Sequence, residues 1–174
     1  LCYLDGEDRE NYLADMAYCQ AFAEVNRANI ASIIMIMMKW KECDRFETIH
    51  NYIDHESNIV RKGAISAKLG ERVLIPMNMR DGCIIGIGKG NEDWNCSAPH
   101  GAGRIMSRSQ AKETVSLDEF RSEMEGIYTT SVNEGTLDES PMVYKPMHEI
   151  VKYIEPTVEI ERIIKPLYNF KACE

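Results

Sequence analysis

The chain holds four histidines, His50, His55, His100 and His148, and the residues around one of them suggest chemistry at once. His100 lies in the run Ser97-Ala98-Pro99-His100-Gly101-Ala102-Gly103-Arg104. Glycines at 101 and 103 let backbone approach a ligand closely and present N–H groups to it, which is how loops cradle phosphates. Arg104 adds a planar guanidinium fork for the same anion. A histidine beside such a nest can act as general base, as metal ligand or as nucleophile toward phosphorus, and the residues themselves leave all three open. His50, followed by Asn51, could ligate a metal with the amide orienting it, or could be a satisfied, half-buried side chain. His55 and His148 sit among Asp54, Glu56 and Glu149 and are expected to be solvated. There is no HxxxH pair and no Cys/His cluster, so the chain alone is not expected to assemble a metal site of three or four ligands.

The elements that position these residues can be read from periodicity. Over residues 8–39 apolar side chains recur at helical spacing (Tyr12, Leu13, Met16, Ala23, Ile30, Ile33, Ile34, Met37), with acidic residues at 5–8 to cap the start. The end of this helix is apolar all round, which predicts burial of its last turns. Short β-type runs follow at 50–53, 64–67, 73–75 and 83–87, separated by glycines. Residues 88–106 read as one long irregular loop. Two short helices are expected at 109–115 and 116–125, the second with Ser116 and Glu119 as a capping box. A strand is expected at 126–132, a helix at 146–153 with proline in its first turn, and at 158–170 a final strand, with a helix over 158–165 as the alternative. The fold class is α+β: a long N-terminal helix, then a mixed or antiparallel β-sheet core with short helices.

Composition bounds the rest. A chain of 174 residues with 44% hydrophobic and 28% charged side chains is globular, and its length suits one domain or one large half of a two-part enzyme. The longest apolar run, residues 30–38, is shorter than the roughly 20 residues a membrane span requires, so no membrane is expected. The sequence opens Leu1-Cys2-Tyr3-Leu4-Asp5, which reads as a piece of something longer. Six scattered cysteines (Cys2, Cys19, Cys43, Cys83, Cys96, Cys173) form no CxxC pair, and reduced, intracellular thiols are expected. The net charge of −8 argues against bulk electrostatic binding of nucleic acid. The distribution is uneven, however: residues 57–70 carry Arg61, Lys62 and Lys68 without an acid, and residues 94–112 carry Arg104, Arg108 and Lys112 without one. Such basic islands suit local phosphate contacts.

The 12 residues Ser97-Ala98-Pro99-His100-Gly101-Ala102-Gly103-Arg104-Ile105-Met106-Ser107-Arg108 resemble the HGAGRxMSR signature of the RtcB family of RNA-splicing ligases. Three companions occur in that family's order: His50-Asn51-Tyr52, Arg61-Lys62-Gly63-Ala64-Ile65-Ser66, and Ser140-Pro141-Met142-Val143-Tyr144-Lys145. The opening, from Tyr3-Leu4 to Arg27, resembles the family's YLxDM…AxxFAxxNR helix, so the likeness runs over essentially the whole chain.

The resemblance implies a partial RtcB-like fold and a cytoplasmic ligase that joins an RNA end bearing a 3′-phosphate or 2′,3′-cyclic phosphate to a 5′-hydroxyl end, with GTP and Mn2+. It implies that His100 is guanylylated, that Gly101, Ala102 and Gly103 line the nucleotide, and that Arg104 holds a phosphate. It assigns His50 to the metal, Tyr144 and Lys171 to the guanosine, and Arg61 and Lys62 to a phosphate or RNA-backbone contact. Asn78 and Cys83 stand near the places of two family serines beside the base, and the chain ends Lys171-Ala172-Cys173-Glu174 instead of Lys-Gly. The remaining metal ligands would lie upstream of Leu1, so this reading makes residues 1–174 the C-terminal portion of the catalytic domain, inactive alone and partnered by the upstream half. A noncatalytic GTP- or RNA-binding fragment and a metal-dependent phosphoesterase are the alternatives.

Overall fold

The computed structural model describes residues 3–171, so Cys2 and Cys173 lie outside the described residues. Between Glu7 and Met38 there is neither glycine nor proline, and the chain forms one helix, α1 (Gly6–Met38, 33 residues). Asp5 occupies the N-cap without a side-chain cap bond, and Lys39 ends the helix in the left-handed conformation. The chain then divides into two compact units. The first holds the residues up to Glu47 together with Asn51–Lys62, and the second holds Thr48–His50 and residues 63–171.

In the first unit, polar side chains of α1 tie it to its own surroundings. Gln20 exchanges two hydrogen bonds with the backbone of Ile53, at 3.2 and 2.7 Å, and Arg27 grips Glu47 through two nitrogens at 2.7 and 3.2 Å. No residue of α1 is buried, and Ile33, Ile36 and Met37 are exposed. The expected burial of its last turns is therefore not found: an apolar surface needs another surface to pack against, and none covers it among the described residues. The helix is also long and apolar enough, by length and composition, to cross a membrane, which the single uninterrupted apolar run did not suggest. The same unit contains most of β1 (His50–Asp54) and the first half of β2 (Ile59–Ser66).

In the second unit, β3 (Arg72–Pro76), β4 (Cys83–Gly88) and β6 (Val158–Ile164) form an antiparallel sheet with β4 in the middle. Ile75 pairs with Ile84, and Ile84 with Ile163. Val73, Ile75, Ile84 and Val158 turn into a core closed by Ile150 and Ile154, one helical turn apart on α4 (Met147–Ile154). A second, smaller core gathers Met79, Phe120, Met124 and Leu137. Phe120 comes from α3 (Leu117–Glu123), where the Ser116–Glu119 capping box is present with both bonds. Helix α2 (Arg108–Thr114) is capped by Ser107. The fold class is α+β, with two three-stranded sheets.

Three boundaries differ from the sequence reading. Inside the 88–106 loop lies a three-residue strand, β5 (Ser97–Pro99), antiparallel to the end of β2 with Ile65 opposite Ala98. Three residues containing a proline are too few for a period to show. Residues 126–132 form no strand but one isolated backbone bridge, Thr129 with Asn169, and hydroxyls supply further bonds: Thr129 donates to the Asn169 carbonyl at 3.0 Å, and the Ser131 hydroxyl accepts from the Lys171 N–H at 2.8 Å. The last strand, β6, excludes the helical alternative and stops at Ile164, before Pro166, which has no N–H to donate.

Gly82 closes the β3–β4 turn at φ +86°, and a Cβ there would lie 2.0 Å from the Ile164 carbonyl oxygen. Gly103 also has positive φ, at +71°, but open space around it. Gly82→Ala should therefore lose about 2–4 kcal/mol of stability, from strain plus a backbone clash, and Gly103→Ala only about 1 kcal/mol. Urea denaturation of both variants checks this; equal losses would remove the Ile164 contact from the account.

Candidate functional site

The pairing of β5 with β2 brings His100, the residue after β5, beside Gly63. The His100 Nδ1 lies 2.6 Å from the Gly63 carbonyl oxygen. A carbonyl only accepts, so Nδ1 carries the hydrogen of the neutral ring and Nε2 keeps the lone pair. The ring stacks on His50, with centroids 4.8 Å apart and planes 21° from parallel. Burial, together with the neighbouring His100, pushes the His50 imidazole below its ordinary value.

After His100 the chain is pinned from both sides. Ala102 N–H donates to the Pro76 carbonyl at 3.2 Å, Lys145 N–H to the Gly103 carbonyl at 3.0 Å, and Ile105 N–H to the Val143 carbonyl at 2.8 Å. The N–H groups of Gly101 and Gly103 take no partner among the described residues. A Cβ at 101 would meet the Pro76 oxygen at 3.0 Å, so the loop passes Pro76 closely because residue 101 is glycine. Two unpaired N–H groups held on a pinned backbone are anion donors.

Arg104 is committed within the protein. Its fork donates to the Asp138 carbonyl, to Glu139 Oε1 at 2.6 Å and to the Tyr144 hydroxyl at 3.1 Å, and it lies 4.9 Å over the Tyr144 ring. Tyr144 in turn donates to Glu139 Oε2 at 3.0 Å, and the Lys171 ammonium reaches the same oxygen at 3.0 Å. Burial alone would raise the Glu139 carboxyl; Lys171, Tyr144 and Arg104 outweigh it and hold the group below its ordinary range. Burial and then the Glu139 carboxylate push the Tyr144 hydroxyl up to about 12, so it stays a donor at neutral pH. Beside this group the buried Asp138 carboxylate faces two side chains of α2, Arg108 at 3.7 Å and Lys112 at 4.0 Å.

These parts surround one cavity of about 860 Å3. His50, Asn78, Cys83, His100, Gly101, Ala102, Gly103, Arg104, Tyr144 and Lys171, all singled out in the sequence, line it. Arg61 and Lys62 do not. The Arg61 side chain is 1% exposed and is held by Asp54 Oδ2 at 3.2 Å and the Tyr52 hydroxyl at 3.1 Å, an internal ion pair, while Lys62 is exposed.

The RtcB family profile, described as tRNA-splicing ligase RtcB, matches residues 1–172. The chain belongs to the RtcB family. It is 32% identical over 168 residues to the RNA-splicing ligase RtcB of Escherichia coli K12, covering 87% of this chain and 41% of that protein. The tRNA-splicing ligase RtcB of Aeropyrum pernix is 38% identical over 101 residues, 55% of this chain and 21% of its own length. That of Nanoarchaeum equitans is 30% identical over 185 residues, 85% and 39%. The chain thus spans about two fifths of the length of the first curated relatives it matches.

Within this RtcB family chain, Asn78 and Cys83 are not equivalent. The Asn78 oxygen accepts from the N–H groups of Arg80 and Asp81 at 2.9 and 2.8 Å, and its amide donates to Asp81 at 2.8 Å, so its side chain is engaged in the 78–82 turn. Burial pushes the Cys83 thiol up, leaving it neutral. Glu139 was missed in the sequence, although it directly precedes the Ser140–Lys145 companion segment. Lys165 and Asn169 also line the cavity unforeseen.

The cavity's volume, its glycine cradle and its cations suit a phosphate-bearing ligand the size of a nucleotide. A divalent ion is a different matter. Among the described residues no group of three or more His, Cys, Asp or Glu side chains could hold one, and a single imidazole from His50 cannot fix an octahedral ion.

With its pKa lowered in the folded state, His50 binds fewer protons than in the unfolded chain below about pH 6.5. Its contribution to stability is therefore present above that pH and falls as pH drops toward the folded value. In an NMR titration of the ring protons His50 should titrate below the ordinary histidine value, and His100→Ala should raise it. An unchanged His50 titration in that variant would show that the stack is electrically silent.

Proposed function

We propose that this chain carries the nucleotide-accepting portion of a ligase that joins RNA 3′-phosphate or 2′,3′-cyclic phosphate ends to 5′-hydroxyl ends using GTP. The observation that carries this reading is the His100 ring, with Nδ1 tied to Gly63 and Nε2 left as a lone pair in a cavity lined by the HGAGR residues. Support also comes from the printed names of the relatives, RNA-splicing and tRNA-splicing ligases.

In this reading Nε2 forms a bond to the α-phosphorus of GTP as the bond to the leaving pyrophosphate breaks. A terminal oxygen of the RNA 3′-phosphate then takes the GMP group, returning the electron pair to Nε2. The 5′-hydroxyl finally attacks the 3′-phosphorus, giving up its proton to solvent as the bond to the departing GMP breaks; a 2′,3′-cyclic end is first opened by water to the 3′-phosphate. The imidazole must be neutral to begin, and the Gly63 carbonyl favours that by holding Nδ1–H through a bond that also steadies the charge developing on the ring. The Gly101 and Gly103 N–H groups face charge developing on phosphoryl oxygens. Tyr144 and Lys171 would contact the guanosine. A manganese ion would take His50 as one ligand and its others from outside the described residues, lending Lewis acidity when bound. Because the described residues cannot hold that ion alone, this chain by itself is expected to bind nucleotide without turnover.

The test is incubation of the full-length enzyme with GTP labelled at the α-phosphate and manganese, followed by mapping of the adduct. The label should sit on His100, and His100→Ala should reduce it by about a thousandfold or more. Label that persists in that variant, or maps elsewhere, overturns the reading.

A further inference from the structure

Glu139 is the one acid on the cavity wall, and three donors that also line the cavity converge on it. Oε1 takes the Arg104 guanidinium at 2.6 Å; Oε2 takes the Tyr144 hydroxyl and the Lys171 ammonium, each at 3.0 Å. These donors come from three distant stretches of sequence: the glycine loop, the segment after a short 3-10 turn, and the last described residue. The backbone adds only partial constraints. Arg104 and Tyr144 share an isolated bridge, and Lys171 is fixed by its N–H to Ser131. Nothing in that backbone fixes the tip of a four-carbon lysine side chain, which has many rotamers. The Glu139 carboxylate does so, and it is itself only 18% exposed, so the ion pair is partly sheltered from solvent screening.

We infer that Glu139 is a positioning residue of this site: it holds Lys171, with Arg104 and Tyr144, on one wall of the cavity and so sets how tightly the nucleotide is bound more than how fast His100 reacts. The inference rests on the ligase reading for the identity of the nucleotide, but the clamp itself can be observed without any nucleotide. An acid in a site for a polyanion is unfavourable by simple charge counting. Its presence is explained if it orders two cations whose combined charge exceeds its own.

The experiment uses the full-length enzyme and the variants Glu139→Gln, Glu139→Asp, Lys171→Ala and the Glu139→Gln/Lys171→Ala pair. Without nucleotide, acetic anhydride labelling read by mass spectrometry should modify Lys171 at least threefold faster in Glu139→Gln than in the parent, with the exposed Lys145 unchanged. Calorimetric titration with a GTP analogue carrying a methylene bridge between the α- and β-phosphorus should show binding about tenfold weaker in Glu139→Gln and restored to within threefold in Glu139→Asp. At saturating GTP, His100 labelling should slow by less than threefold. The double variant should lose less than the product of the two single losses, by at least threefold, because both act through one contact. Unchanged Lys171 reactivity, unchanged analogue binding, or losses that multiply would each overturn the inference. If the parent binds no analogue and His100 takes no label while Lys171 reactivity still rises, the ligase reading fails and the clamp stands. Should Glu139→Gln not fold, Lys171→Gln leaves the carboxylate in place and carries the same expectation of about tenfold weaker binding, and unchanged affinity there overturns the inference.

Discussion

A carbonyl oxygen has lone pairs and no hydrogen, and the oxygen of Gly63 sits 2.6 Å from Nδ1 of His100. From that asymmetry follows the tautomer, from the tautomer the position of the imidazole lone pair, and from the lone pair the chemistry open to the cavity. The bond exists because β5 pairs with β2 in one register, Ala64 opposite Pro99, which carries His100, the residue after β5, alongside Gly63 inside β2. A slip of one residue would put a different backbone group under the ring and turn the neighbouring side chains to the other face. The glycine loop after His100 is held by the other sheet, with Ala102 N–H donating to the Pro76 carbonyl at the end of β3.

The wall opposite is held by charge instead of by strand pairing. Glu139 is drawn in two directions, burial favouring its neutral form and three donors favouring the carboxylate, and the donors prevail. The same burial, and then the Glu139 carboxylate, push the Tyr144 hydroxyl up to about 12, so it remains a donor to Glu139 well into the alkaline range. The two walls therefore differ in kind. One is set by backbone geometry and is indifferent to salt; the other rests on partly exposed ion pairs that salt weakens.

The sequence was legible where periods are long or motifs dense. The run 7–38 of α1 without glycine or proline could hardly be missed, and the Ser116–Glu119 box is local enough to be read from four letters. His100 and its glycines stood out by residue type alone, and all of them line the cavity. Strand β5 was not legible because three residues have no period, and residues 126–132 were misread because their β-branched and aromatic residues suit a strand, whereas only Thr129 bridges and the hydroxyls of Thr129 and Ser131 bond residues some forty positions later. Arg61 was read as a phosphate contact, whereas the structure buries it against Asp54; charge in a sequence does not say which way it faces. The apolar end of α1 predicts a packing partner, and among the described residues there is none.

The central strand of the larger sheet, β4, is hydrogen-bonded on one side to β3, its neighbour in sequence, and on the other to β6, which is separated from it by roughly 70 residues. On a growing chain the β3–β4 hairpin can form as soon as it is made, but its second edge stays open until β6 exists. The cavity begins at Thr48 and is completed by Lys171, so a nascent chain has a histidine and a glycine loop long before it has a site to hold them. The cavity is thus complete only once Lys171 has been made, and a chain that stops before β6 leaves an unpaired β-edge and an open, unfinished cavity.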